Sequence, residues 1–174
     1  VLDGGACSVG LESTVVDCTK TPPRLLRPGV ITPEQLRAVL GELAVDEAVC
    51  RPLRPEENAA SPGMKYKHYA PRARLILLEG SYPQYRAYVN AHAAPRTMAL
   101  CYPGEEAGLA VPAVAYGSAG DAAGQARELF DALRRLDERQ ASLVYARCPP
   151  PEGVGLAVYN RLLRAAGFEV ISLG

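Results

Sequence analysis

The run Glu12-Ser13-Thr14-Val15-Val16-Asp17 carries the first side chains that could do chemistry. Side chains alternate along a strand, so one hydroxyl of Ser13 and Thr14 can face a ligand while the other bonds to backbone. An ordinary strand with a β-favoured threonine has the same pattern. The residues alone favour this plainer interpretation.

A second segment, Leu26-Arg27-Pro28-Gly29, places an arginine before a Pro-Gly turn. A guanidinium held at a strand end is a planar fork that suits a phosphate or a carboxylate. A surface arginine beside a turn has the same spacing. Spacing therefore does not by itself make Arg27 a ligand-binding residue.

The third segment is the run SPGMKYKHYAP at residues 61–71, with two lysines, a histidine and two tyrosines between Lys65 and Tyr69. Cations can contact phosphate oxygens, and aromatic rings can stack on a base. A solvated linker with a local basic run is the alternative. Because an idle linker has no use for aromatic surface, the run predicts a nucleotide-binding segment.

A fourth segment, Gly153-Val154-Gly155, precedes an apolar helical stretch. A Gly-x-Gly turn entering a helix is typical of phosphate-binding loops. The third glycine of that fingerprint is missing, because Val158 stands in its place. The pattern favours a plain loop entering a helix.

Two kinds of element must position these segments. Thr32, Pro33 and Gln35 form a capping box with Pro at the first helical position, and Gly41 ends the predicted helix. Its predicted apolar face is Leu36, Val39 and Leu40. From residue 73 onward, apolar runs and amphipathic stretches alternate. This alternation predicts an α/β, Rossmann-like, mostly parallel sheet with helices on both faces. The predicted strands are 75–78, 97–102, 111–116, 142–146 and 168–173, and the predicted helices are 82–92, 121–139 and 156–166.

Composition limits the possible functions. Nineteen Lys and Arg residues balance nineteen Asp and Glu residues, which does not support a general electrostatic attraction to nucleic acid or membrane. Five cysteines without a Cys-x-x-Cys pair, and two distant histidines, offer no zinc site. The cysteines are expected to be reduced, inert thiols of a cytoplasmic protein.

Taken together, the segments resemble the Sua5/YrdC family of threonylcarbamoyl-AMP synthases. Residues 1–5, 10–17 and 26–29 look like the closing third of the YrdC-type domain. The 61–71 run is similar to the linker of the two-domain Sua5 form, and 155–162 to the last helix of its C-terminal domain. The resemblance implies a catalytic-domain remnant at 1–45, a linker at 46–72 and a Sua5 C-terminal domain at 73–174.

The resemblance also implies a reaction, in which L-threonine, bicarbonate and ATP give threonylcarbamoyl-AMP and pyrophosphate. A partner complex then moves the threonylcarbamoyl group onto adenosine 37 of tRNA, and Mg²⁺ accompanies the ATP. Such a nucleotidyl transfer needs cations and positioning more than a covalent nucleophile, so no catalytic nucleophile is expected. The implied threonine-binding residues are Ser13 and Thr14, and the implied ATP-binding residues are Arg27, Lys65, Tyr66, His68 and Tyr69. Which of the two tyrosines contacts ATP stays open.

Because the resemblance covers only the end of the catalytic domain, the chain alone is expected to be inactive. Residues 73–174 are expected to fold stably, and the 12–17 strand to be disordered or paired with another chain. A non-catalytic nucleotide-binding or regulatory module is the alternative function. A tRNA-binding surface is a third hypothesis, which the zero net charge disfavours. Its candidate residues are Arg134, Arg135, Arg161 and Arg164.

Overall fold

A small sheet opens the fold. The structure is a computed structural model that describes residues 2, 5, 8–53 and 70–174. Its first strand, β1 (Val15–Asp17), pairs antiparallel with β2 (Arg24–Arg27), and β2 pairs parallel with β3 (Ala44–Val45). The 12–17 segment was expected to be disordered or paired with another chain. Instead, β1 bonds to β2 of its own chain, because the intervening turn brings the two strands together.

Helix α1 (Pro33–Leu40) begins and ends where the sequence predicts. The Thr32 side chain accepts from the Gln35 backbone, the Gln35 side chain accepts from the Thr32 backbone, and Gly41 caps the end. The predicted apolar face is only partly covered, since Leu36 packs against the core cluster of Leu25, whereas Val39 is 85% exposed and Leu40 is 40% exposed. Periodicity identifies the apolar stripe of a helix but not whether the same chain covers it.

The second sheet has five parallel strands in the order β6-β5-β7-β4-β8. This arrangement confirms the predicted Rossmann-like, mostly parallel α/β fold. Most strand ends differ from the predicted ones by one or two residues. The strands are β4 (Arg74–Glu79), β5 (Thr97–Cys101), β6 (Ala113–Ala115), β7 (Leu143–Ala146) and β8 (Val170–Ser172). The helices are α2 (Tyr82–Ala91), α3 (Ala122–Glu138) and α4 (Gly155–Ala165).

Helices cover both faces of this sheet. Alternate strand residues face opposite sides, so Leu75 and Leu77 pack with α3 and α4, while Ile76 and Leu78 pack with α2. The α3 and α4 face is the larger core and the α2 face the smaller one. As a result, the chain leaves β4 toward one face and leaves β7 toward the other.

Helix α4 joins the two sheets. Leu156 packs with Leu25, Leu43 and Val49 of the small-sheet region. The Asn160 amide donates to the Val49 carbonyl. No helix in the described part of the chain is long and apolar enough to cross a membrane.

Two arginines of α4 also serve this junction. Arg161 is 3% exposed and pairs with Glu12, and Arg164 is 7% exposed and donates to the Ala48 carbonyl at 2.8 Å. The hypothesis of a tRNA-binding surface that includes these two side chains was therefore wrong. The two arginines occupy the interior positions of an amphipathic helix and bond to backbone and carboxylate.

Candidate functional site

The candidate site lies where β1 and β2 pair. Val15 lies opposite Arg27, and the register shifts between Val15 and Val16, which is the mark of a β-bulge. A bulge adds one residue to one strand and re-aims the side chains beside it. The two residues immediately before Val15 are Ser13 and Thr14, so the bulge sets their directions relative to β2.

Arg27 and Ser13 are brought together by this pairing. The Arg27 Nε donates to the Ser13 carbonyl at 2.9 Å, and Nη2 donates to the Ser13 Oγ at 3.1 Å. Two donors on one residue fix the plane of the guanidinium. The structure thus joins a residue that the resemblance assigned to threonine with one that it assigned to ATP phosphate.

Thr14 has a structural role on the other side of the segment. Its Oγ1 donates to the Ile31 carbonyl at 2.8 Å. A Cβ at Gly29 would lie 2.5 Å from the Thr14 backbone nitrogen and 2.7 Å from the Glu12 carbonyl oxygen. Only glycine therefore fits at position 29, a requirement that the sequence suggested only as a turn preference.

Glu12 ties the Ser13 segment to helix α4. Its carboxylate pairs with the Arg161 guanidinium, which also lies over the Phe130 ring at 5.8 Å from the ring centre. Sequence reasoning gave Glu12 no role, because its partner lies far along the chain. The only available signal was an arginine on the apolar face of a predicted helix, which needs a hydrogen-bonding or charged partner.

The four linker residues predicted to bind ATP, namely Lys65, Tyr66, His68 and Tyr69, lie outside the described residues. Within the described ranges, no group of three or more His, Cys, Asp and Glu side chains is placed to hold a metal ion. Four described cysteines are free thiols. Burial raises the pKa of Cys101 and of Cys148 to about 12, so neither is a thiolate near neutral pH.

Comparison with known proteins gives this geometry a context. The family model for the C-terminal domain of threonylcarbamoyl-AMP synthase matches residues 31–167. The chain belongs to this family. The resemblance to the Sua5/YrdC group, first seen in the sequence motifs, is confirmed.

Curated relatives that match the chain are named threonylcarbamoyl-AMP synthase. The protein from Bacillus subtilis (strain 168) is 40% identical over 174 residues, covering 98% of this chain and 49% of the relative. The protein from Pyrococcus abyssi (strain GE5 / Orsay) is 36% identical over 182 residues, covering 99% of this chain and 51% of the relative. The chain thus spans about half the length of the curated relatives it matches.

Solved structures of Sua5 from P. abyssi have the same fold. The crystal structure complexed with L-threonine matches with a TM-score of 0.85 and 35% identity, over 98% of this chain and 50% of that one. A second structure matches with a TM-score of 0.85 and 34% identity, also over 98% of this chain, and covers 49% of that one. It is of a variant in which a histidine and the tyrosine after it are both replaced by alanine.

Proposed function

We propose that this chain forms part of a threonylcarbamoyl-AMP synthase, in which Ser13 contacts threonine or its carbamate and Arg27 contacts ATP phosphate. The proposal rests on the contact of Arg27 with Ser13, in which Nε donates to the Ser13 carbonyl at 2.9 Å and Nη2 donates to the Ser13 Oγ at 3.1 Å. It places a hydroxyl and a guanidinium side by side, as two substrates that react with each other require. The named relatives and the threonine complex of Sua5 support the synthase part of this proposal, and the residue roles rest on the contact itself.

The chemistry asks for positioning. The threonine amine adds to bicarbonate and water is lost, which gives an N-carboxylated threonine. Its carbamate oxygen attacks the α-phosphorus of ATP, and the bond to pyrophosphate breaks. Negative charge grows on the phosphate oxygens during this step, and a fixed guanidinium stabilises it. Arg27 suits this role because its contacts with Ser13 hold the fork in one plane.

Thr14 and Gly29 hold the segments of the site together. The Thr14 hydroxyl is engaged by the Ile31 carbonyl. This bond holds the loop after β2 against the Ser13 segment, and the lone pairs of the hydroxyl oxygen stay available to threonine, the substrate proposed for Thr14. Gly29 lets the two segments approach to contact distance.

The linker supplies the nucleotide side of the proposal. Lys65 and His68 would meet phosphate oxygens, and Tyr66 or Tyr69 would stack on the base. The histidine-tyrosine pair replaced in the Sua5 variant has one sequence counterpart in this chain, His68-Tyr69. This match favours Tyr69 over Tyr66 as the direct contact.

Mg²⁺ would enter with the triphosphate. This ion keeps several waters and is commonly held by substrate phosphates with few protein ligands, which fits described residues without a metal-binding cluster. When bound, it would neutralise phosphate charge. No residue of the described chain is assigned to it.

The rest of the active site would come from the part of the relatives that this chain does not match. We therefore expect the 174-residue chain alone to be inactive. The product would pass to the complex that modifies adenosine 37 of tRNA. We place this chemistry in the cytoplasm, where cysteines stay reduced.

A chimera tests the proposal. This chain replaces the matching half of the B. subtilis relative, and pyrophosphate release from ATP is measured with threonine and bicarbonate, and with each omitted. Release that needs both substrates, and that the 174-residue chain alone does not give, is the expected result. A folded chimera with no such release would contradict the proposal.

A further inference from the structure

A crevice of about 750 Å³ lies on the five-stranded sheet, well apart in sequence from Ser13 and Arg27. Glu79, the last residue of β4, and Gly80 after it form one wall, and Arg147 and Cys148, which follow β7, form another. These strands are neighbours, and their outgoing connections run to opposite faces of the sheet. Ligands of open α/β sheets bind at this switch point, beyond the carboxyl ends of the strands.

Two residues that line the crevice each have a buried polar atom without a partner among the described residues. Gln125 is 1% exposed, and its Nε2 donates to the Ser118 carbonyl at 2.8 Å. Its Oε1 has no hydrogen-bond partner among the described residues, and the same is true of the Arg147 Nε. An unsatisfied buried polar atom costs about 1–3 kcal/mol. Both atoms are shielded from solvent, so a ligand that offers a donor to Gln125 and an acceptor to Arg147 would reach them through a shift of the two side chains, and would then recover part of that cost.

A third polar group is a carboxylate with acceptor capacity. The Tyr159 hydroxyl donates to the Glu79 Oε1 at 2.8 Å. A carboxylate has about four lone-pair sites, so one hydroxyl does not exhaust it. Adjacent hydroxyl groups of a sugar are donors that suit such an acceptor, while the Tyr159 ring offers a flat apolar surface beside it.

Charge argues against a phosphate in the crevice. Glu79 and Glu152 line it, and the lining cation, Arg147, is already paired with Glu105 at 3.3 Å. Helix α3 begins at the crevice, but Asp121 already accepts from the Gly124 backbone there. The Gly153-Val154-Gly155 turn also reaches it, yet Glu152 stands directly before that turn. The lining favours an uncharged ligand.

We propose that the crevice binds a nucleoside: its sugar hydroxyls on Glu79, its base on Tyr159, and ring donors and acceptors on Gln125 and Arg147. The volume is ample, since small-molecule sites span about 300–1,000 Å³. This binding site is separate from the Ser13 and Arg27 site. The crevice is a specific form of the alternative function, a nucleotide-binding or regulatory module. Its ligands would be those without phosphate.

The test is titration of the ¹⁵N-labelled chain with adenosine, guanosine, cytidine and uridine, with AMP and inorganic phosphate as charged comparisons. For at least one nucleoside, amide shifts are expected at Gly80, Cys148 and Gly155, and none at Ser13. AMP is expected to bind no tighter than adenosine. No shifts with any nucleoside at millimolar concentration, or shifts with phosphate alone that equal those with AMP, would overturn the proposal.

Variants locate the ligand. Glu79→Gln keeps the side-chain volume and its contact with Tyr159, and is expected to weaken nucleoside binding about tenfold or more. Gln125→Met, which removes the unsatisfied acceptor, is the second variant, should Glu79→Gln not fold. Arg27→Gln is the control and should bind the nucleoside as the parent chain does. Binding lost in the control and kept in both crevice variants would overturn the assignment.

The activity assay separates the two proposals. Glu79→Gln in the chimera is expected to leave pyrophosphate release unchanged, because Glu79 lies outside the Ser13 and Arg27 site. Nucleoside binding without synthase activity would leave the crevice assignment standing and contradict the proposed function. Synthase activity without nucleoside binding would support the proposed function and contradict the crevice assignment.

Discussion

Glu12 and Arg161 form an ion pair that ties the Ser13 segment of the small sheet to helix α4 of the large sheet. The Arg161 side chain is only 4% exposed, and its Nη1 already lacks a partner among the described residues. Glu12 is therefore the principal counter-charge of a buried cation. The geometry of the candidate site depends on this contact between two parts of the chain that are distant in sequence.

Replacement of Glu12 tests that dependence. Glu12→Gln leaves the buried guanidinium with a weaker acceptor, and we expect it to lower the free energy of unfolding by about 1–3 kcal/mol in urea titration. Asp131→Asn is the matched control, because Asp131 contacts Arg134 and Arg135 at an exposed site. The control should change stability by less than about 0.5 kcal/mol. Equal effects of the two substitutions would contradict the structural role of Glu12.

Gly29→Ala tests the close approach of the loop to the Ser13 segment. The new Cβ would meet backbone atoms of Thr14 and Glu12 that cannot rotate away. We expect the free energy of unfolding to fall by about 1–3 kcal/mol. We also expect the chimera to need a higher threonine concentration for half-maximal activity. Gly104→Ala is the control, since its Cβ would meet nothing within 4 Å, although its φ of +91° adds local strain. If the Gly29→Ala chimera reaches half-maximal activity at the same threonine concentration as the unchanged chimera, this contact does not have the proposed role.

Replacement of Asn160 tests the contact between α4 and the segment that follows β3. Asn160→Ala removes the donor to the Val49 carbonyl, and we expect faster hydrogen exchange at Val49 and Cys50, whose amides bond to Asp46 and Glu47. Asn90→Ala is a matched control, because Asn90 donates to the Gly108 carbonyl at an exposed site. Unchanged exchange at residues 49 and 50 would show that α4 does not hold this segment.

Buried Cys101 predicts a loss of stability at alkaline pH. Burial raises its pKa from 9.0 to about 12, so between these values the folded chain keeps a proton that the unfolded chain releases. Stability therefore falls as pH rises, by about 1.4 kcal/mol per pH unit for this one group. Cys101→Ala should reduce the slope by about that amount between about pH 9.5 and 11. Identical slopes in urea titrations of both proteins would contradict the prediction.

Local signals predicted the elements well. The capping box of Thr32 and Gln35 and the apolar run of β4 depend on neighbours in sequence, so the bounds of α1 and the buried strand could be inferred. Ser13 and Arg27 were selected individually, and their contact needed the antiparallel pairing of β1 with β2.

Contacts between distant segments could not be predicted from the sequence. Glu79, Gln125 and Tyr159 lie on β4, α3 and α4. Arg147 follows β7, and the four residues meet only through the strand order of the large sheet. The burial of Arg161 and Arg164 was missed for the same reason. A helix pattern shows which side chains share a face, but not which backbone carbonyls a long side chain will reach.

The most direct test of the synthase assignment is the dependence of pyrophosphate release on ATP in the chimera carrying Arg27→Lys. A lysine keeps the charge but cannot maintain both donors on Ser13, so kcat/KM for ATP should fall about tenfold or more. Arg134→Lys, on the exposed face of α3, should leave kcat/KM unchanged. If Arg27→Lys also leaves it unchanged, Arg27 does not contact ATP phosphate and the proposed site is wrong.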